Sequence, residues 1–396
     1  MELSIEQIAT LLLIASIVAV AARRLHVPYP IGLVLAGIGL AFFPLASDIR
    51  LTKELIFTIF LPPLIYEAAL YLRWQELRRD LPVILTLATV GVLLSAAVTT
   101  VGMHYLAQWQ WSSAILFGVL IAATDPVSVI ATFKESGAPG RLRLLVEAES
   151  LFNDSTAAVA FSIALAFATG EGISTFGALQ TLGVTVGGGI FCGLVVAGGA
   201  LLLAGHTDDH LVEITLTTVA AYGSFLLAEH FHCSGVLASL TAGLLMGNLG
   251  ALGSFSDKGR ESVESFWEYA AFVVNSLIFI LIGIRGAHQD LARLLAPIVI
   301  AIGVVLVGRA VAIYPLCAIF ARSALRVSPV HQHVLFWGGL RGALALALAL
   351  GLPAIAQREE IITVAFGVVA FSVFAQGLTI TPLLRQLKEI PESGGE

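Results

Sequence analysis

Apolar runs broken by short polar or Pro/Gly-rich turns follow one another along nearly the whole chain. A hydrocarbon core about 30 Å thick takes roughly 20 helical residues to cross, so runs of this length predict membrane-spanning helices. About thirteen can be drawn, over residues 5–22, 30–45, 54–71, 80–106, 112–132, 144–168, 176–205, 210–229, 233–248, 262–284, 294–321, 331–351 and 359–384. The second and ninth are the short ones. The pattern predicts an all-α polytopic membrane protein.

Composition agrees: of 396 residues 58% are hydrophobic and only 12% charged, against about 25% charged in soluble domains. An odd number of spans puts the termini on opposite sides, and the basic residues choose between the two orientations. With the N-terminus outside, fourteen of the 21 Lys and Arg residues fall on the cytoplasmic side, from Arg23 and Arg24 to Arg385 and Lys388, with Lys134 among them. Five fall outside (Arg50, Lys53, Arg285, Arg293, Arg358), and Arg309 and Arg341 lie within spans. The expected placement is the inner cell membrane, N-terminus outside and C-terminus cytoplasmic. The leading "MELSIEQ" is acidic and the Arg pair follows the apolar run, the reverse of a cleaved signal peptide. Cys192, Cys233 and Cys317 sit in or beside apolar runs without paired spacing, so neither a disulfide framework nor a metal site is indicated. The longest polar segment is around "SDKGRESVES", and no soluble regulatory domain is expected.

A charge at the centre of a membrane helix costs at least about 2.5–3.5 kcal/mol on insertion scales, so the ionisable residues inside the runs are the first functional candidates. They are Glu67, Asp125, Glu149, Asp154, Arg309 and Arg341. Two bases can neutralise only two of the four acids, which suggests a site for cations or protons, with an arginine reserved for Glu149. In "ESLFNDSTA", residues 149–157, helical geometry separates two faces. Ser150 and Asp154 share one, a hydroxyl and a carboxylate of the hard-oxygen type that suits a small cation. Glu149 and Asn153 share the next, an acid to be locked to an arginine and an amide to hold it.

Two further motifs read as interrupted helices. In "ATDPVSV" (123–129), Pro126 removes a donor and disfavours helix at Asp125, which frees carbonyls such as that of Thr124. In "GGLRGALALALALG" (338–351), three glycines surround Arg341. Broken helices at mid-membrane are how transporters build ion sites, and the spacing fits two inverted repeats. These are 1–168 and 210–387, joined by a linking helix at 176–205. Half-helix ends of opposite polarity then place Asp125 beside positive ends and Arg341 beside negative ones.

"LPPLIYEAAL", "ATDPVSV", "ESLFNDSTA", "HCSGVLASLTAGLLMG" and "GGLRGALALALAL" together resemble the monovalent cation:proton antiporter superfamily, in its sodium/proton exchanger branch of prokaryotic type. The resemblance covers all but the tail. It implies two inverted six-helix repeats with crossing unwound helices. The core would comprise about 80–168 and 294–387, the remainder forming a dimerisation part, and the assembly a homodimer. It implies that Asp154 binds either Na+ or a proton, with Ser150 and the Thr124 carbonyl as further Na+ ligands and Glu67 nearby. Asn153 stands where electrogenic relatives carry a second Asp, Glu149 pairs with Arg309, and Asp125 and Arg341 balance the crossing helices. No cofactor is expected beyond the transported ions, no enzymatic activity and no nucleic-acid partner.

Competition suffices as a mechanism: burial favours the protonated carboxyl and a bound cation favours the carboxylate, so proton and Na+ displace one another. One titrating carboxylate predicts electroneutral one-for-one exchange of Na+ or Li+ for H+, for pH and sodium homeostasis. K+/H+ exchange by the same fold and a passive cation channel are the alternatives, and an intramembrane sensor or hydrolase would need a nucleophile that the sequence does not show. "HFHC" (230–233) reads as an interfacial cluster, since a zinc site wants four ligands. His104, His331 and His333 read as solvated span-end histidines.

Overall fold

The computed structural model describes residues 4–25, 28–43, 51–125, 129–130, 133, 140–170, 175–250 and 255–390. Among these every regular element is a helix. In chain order they are α1 (Ile5–Leu25), α2 (Tyr29–Leu40), α3 (Leu55–Leu70), α4 (Trp74–Leu106), α5 (Trp111–Leu120), α6 (Gly140–Ala168) and α7 (Thr175–Ala204). The rest are α8 (His210–His230), α9 (Gly235–Leu249), α10 (Asp257–Ala287), α11 (Leu295–Ile319), α12 (Pro329–Trp337), α13 (Ala343–Leu350) and α14 (Arg358–Gln386). Among the described residues 8 helices are long and apolar enough to cross a membrane alone, and α2, α3, α5 and α9 are shorter apolar helices. Each predicted run contains a helix; the run at 331–351 contains two, α12 and α13, separated by 338–342. The run at 112–132 stops being helical after Leu120, five residues before Asp125. Pro126, like Arg50 and Lys134, lies outside the described residues.

The chain divides into two compact units. The first comprises Met1–Lys53, Pro82–Asn153 and Ser276–Glu396. Its helices pack through small residues, which let backbones approach where lipid offers no hydrophobic drive between helices. On α4 and α11, a Cβ on Gly102 would run into Val304 and one on Gly308 would lie 2.9 Å from the Ser95 carbonyl. Gly37 of α2 crosses Gly283 of α10 so closely that a Cβ there would strike the Ile280 carbonyl. Thr100 on α4 donates to the Ala114 carbonyl of α5 at 3.3 Å.

The second unit comprises Glu54–Leu81 and Asp154–Asn275. Its core gathers Tyr66, Leu70, Ala197, Met246 and Trp267. Tyr66 packs against Trp267 with ring centroids 4.6 Å apart and ring planes tilted by 44°, and the Trp267 indole donates to Thr217 Oγ1 at 2.9 Å. Here "SGVLASLTAGLLMG" shows its local logic. Ser234 caps α9 by accepting from the Leu237 amide at 3.2 Å, and Gly243 and Gly247 let α9 lie against the backbone of Tyr66 and Leu70. "LPPL" has a local consequence too. Pro63 has no N–H to return to the carbonyl four residues earlier, that of Ile59, and the Tyr222 hydroxyl donates to it instead at 3.0 Å. A π-helical stretch, Leu55–Phe60, leads into the prolines.

Candidate functional site

In the first unit two of the predicted apolar runs lose helix part-way, at 121–125 after α5 and at 338–342 between α12 and α13. The two interruptions meet. The Asp125 amide donates to the Leu340 carbonyl at 2.8 Å. Arg341, buried, donates from Nη1 to the Ala122 and Ala123 carbonyls at 2.9 and 3.1 Å. A guanidinium thus lies on the carbonyl end of α5, where the helix dipole is negative and the last carbonyls lack helical partners. The Asp125 carboxylate lies against Gly342, which precedes the amide end of α13, and a Cβ on Gly342 would occupy the carboxylate's own space. Each half-helix end therefore faces a side chain of opposite sign.

The same unit holds α6 up to Asn153. Glu149, only 1% exposed, takes a bidentate ion pair from Arg309 of α11: Nη1 to Oε1 at 2.7 Å and Nη2 to Oε2 at 3.0 Å. Fork-to-fork pairing of this kind is charge-assisted and geometrically specific. Two further Arg309 donors go to the Leu335 carbonyl, Nη2 at 2.9 Å and Nε at 3.3 Å. Asn153 Nδ2 donates to Glu149 Oε1 at 3.3 Å, one turn along the helix. Its Oδ1 is buried and accepts no hydrogen bond among the described residues.

On the adjacent face of α6 the buried Ser150 hydroxyl lies 2.9 Å from Thr124 Oγ1. Thr124, whose carbonyl is the expected ligand, thus meets Ser150 through its hydroxyl. Asp154 follows Ser150 by one turn on the same helix, half-buried, and opens the later segment of the second unit. Glu67 lies in that second unit as well, on α3 beside Tyr66 and half-buried.

Gln376 and Glu213 are among the buried polar residues that escaped the sequence reading. Gln376 of α14 donates from Nε2 to the Trp337 carbonyl at 3.0 Å, at the end of α12. Glu213 of α8 is fully buried and accepts from the Ser256 amide at 2.9 Å, just before α10. A lone amide in an apolar run was the available signal for Gln376; Glu213 sits near a span end, where an acid attracts no notice.

Buried charges paired across helices, hydroxyls at a chain break, and two interrupted helices touching at their breaks define a polytopic membrane protein of the secondary-transporter class. The profile of the sodium/hydrogen exchanger transmembrane family matches residues 9–386. The low-affinity Na+/H+ antiporter NhaS1 of Synechocystis is 41% identical over 370 residues, 91% of this chain and 70% of that protein. The Na+/H+ antiporter NhaH of Halobacillus dabanensis is 35% identical over 402 aligned positions, 96% of this chain and 97% of that protein. The fold resembles the sodium proton antiporter MjNhaP1 of Methanocaldococcus jannaschii, with a TM-score of 0.78 over 97% of this chain and 98% of that one, at 22% identity. The chain belongs to the sodium/hydrogen exchanger family.

Proposed function

We propose that this protein exchanges Na+ for H+ across the inner cell membrane, with Asp154 as the carboxylate that takes either ion. The observation that carries the reading is the division of labour on α6. Glu149 has its charge taken up by Arg309, while one residue on, Ser150 presents a hydroxyl in contact with Thr124, one turn before Asp154. Hard oxygens of this kind suit a small alkali cation. Na+ is held by Asp154, Ser150 and Thr124, with Glu67 close by and Asn153 contributing its amide without titrating. Asp125 and Arg341 keep the half-helix ends charge-balanced. Relatives whose names state Na+/H+ antiport support sodium as the ion.

Burial favours the protonated carboxyl and a bound cation favours the carboxylate, so one site serves both ions in turn. With one titrating group the exchange is electroneutral, one proton per Na+ or Li+, and serves pH and sodium homeostasis. The ion-carrying core is 80–168 with 294–387, in two inverted repeats. The remainder forms the homodimer, and the N-terminus lies outside with the C-terminus in the cytoplasm.

The test is proton movement in proteoliposomes carrying a trapped pH dye. Na+, Li+ or K+ is added outside at zero and at set voltage, to wild type and Asp154→Asn. Sodium-driven, voltage-insensitive proton movement that vanishes in the variant is expected. Activity that survives Asp154→Asn, a stoichiometry of two protons, or a voltage-driven leak without proton coupling would overturn the reading.

A further inference from the structure

The last carbonyls of a helix have no partners within it, and in lipid each must find one. At the end of α12 the Leu335 carbonyl is taken by Arg309 and the Trp337 carbonyl by Gln376. The Gln376 amide is fixed at both ends, because its Oε1 accepts from Ser372 Oγ at 2.7 Å while its Nε2 holds Trp337. Both side chains are buried, at 3% and 1% exposure. They bound a π-helical turn, Ser372–Gln376, within the otherwise α-helical α14. Such turns carry one residue more than an α turn and often mark functional positions. One turn further along, Thr379 Oγ1 accepts from the Trp337 indole at 2.8 Å, so α14 grips Trp337 by backbone and by ring.

We propose that Gln376 is a positioning residue for ion exchange: by occupying the Trp337 carbonyl it leaves Arg309 committed to Glu149. The link is local. The guanidinium lies against Gly339, two residues beyond Trp337, where a Cβ would come 2.5 Å from Arg309 Nε. Without the amide the end of α12 loses its tie to α14, and the Leu335 carbonyl that holds Arg309 Nε and Nη2 beside Glu149 loses its fixed position. Glu149 is then held less firmly, and the Ser150 hydroxyl next to it on α6 loses its fixed place 2.9 Å from Thr124 Oγ1, so Na+ binds less well.

The proposal rests on the exchange function assigned above, and its test separates the two. Gln376→Met keeps the volume and removes the donor; Ser372→Ala keeps the amide and removes what orients it. Sodium-driven proton movement is measured in proteoliposomes as KM for Na+ and maximal rate per folded protein. For Gln376→Met the apparent KM for Na+ rises about five-fold, what one neutral buried hydrogen bond is worth. Ser372→Ala raises the KM by less, and serves alone if Gln376→Met does not fold. An unchanged KM in either folded variant, with the maximal rate merely following the folded fraction, overturns the positioning role while leaving exchange intact. A wild type without sodium-driven proton movement overturns both.

Discussion

The Glu149–Arg309 pair provides the sharpest energetic test. Its side chains are 2% and 6% exposed, and it joins segments 160 residues apart in sequence. Removing one partner of such a pair leaves an uncompensated buried charge and costs about 3–5 kcal/mol. Arg309→Met also strips the Leu335 carbonyl of both donors, adding about 1–3 kcal/mol for an unsatisfied buried acceptor. Glu149→Leu loses the Asn153 contact too, but that amide is held at a long 3.3 Å and contributes little. The double variant removes both charges together, and replacing a buried pair by apolar groups is near neutral or even stabilising. The sum of the single losses, about 7–13 kcal/mol, must therefore far exceed the double loss, which keeps only the Leu335 term of about 1–3 kcal/mol. Reversible unfolding in mixed micelles titrated with SDS, followed by the helical circular dichroism signal, measures all four corners of the cycle. A coupling below about 0.5 kcal/mol, the limit of ordinary additivity, would mean that the charges do not depend on each other as their geometry requires.

Two substitutions test the close approaches. Gly342→Ala places a methyl in the Asp125 carboxylate, whose backbone is tied to Leu340. Overpacking of this kind costs about 1–3 kcal/mol, and the transport rate is expected to fall more than about ten-fold with membrane insertion retained; wild-type rates would show that the breaks can separate without consequence. Gly37→Ala drives a methyl into the Ile280 carbonyl and should destabilise by about 1–3 kcal/mol in the SDS titration. Gly39→Ala, in the same helix with open space around it, should stay within about 0.5 kcal/mol of wild type, and equal effects at the two positions would refute the close crossing of α2 and α10.

Properties local to one helix were legible in the amino-acid order. Apolar run length marked the helices, and the 100° step along α6 put Ser150 and Asp154 on one face and Glu149 and Asn153 on the next. The glycines around Arg341 announced an interruption, and helix does end at Trp337 and resume at Ala343. In α5 the helix ends earlier than the Asp-Pro signal alone placed it, at Leu120, because Arg341 is there to receive the carbonyls of Ala122 and Ala123.

Choices of partner between helices belong to the tertiary structure. The residues alone offered Glu149 two arginines; packing of α11 beside α6 delivers Arg309 to it and sends Arg341 to the end of α5. The meeting of the Thr124 hydroxyl with Ser150 is likewise made by the fold. Gln376 and Tyr222 look like ordinary residues in apolar runs until α12 and the proline-broken α3 bring their unpartnered carbonyls within reach. Periodicity sets where a side chain sits around its own axis, but a hydrogen bond across helices depends on the rotation and height of a second axis. Those are set by small-residue contacts such as Gly102 on Val304 and Gly308 on Ser95, made between segments roughly two hundred residues apart in the chain.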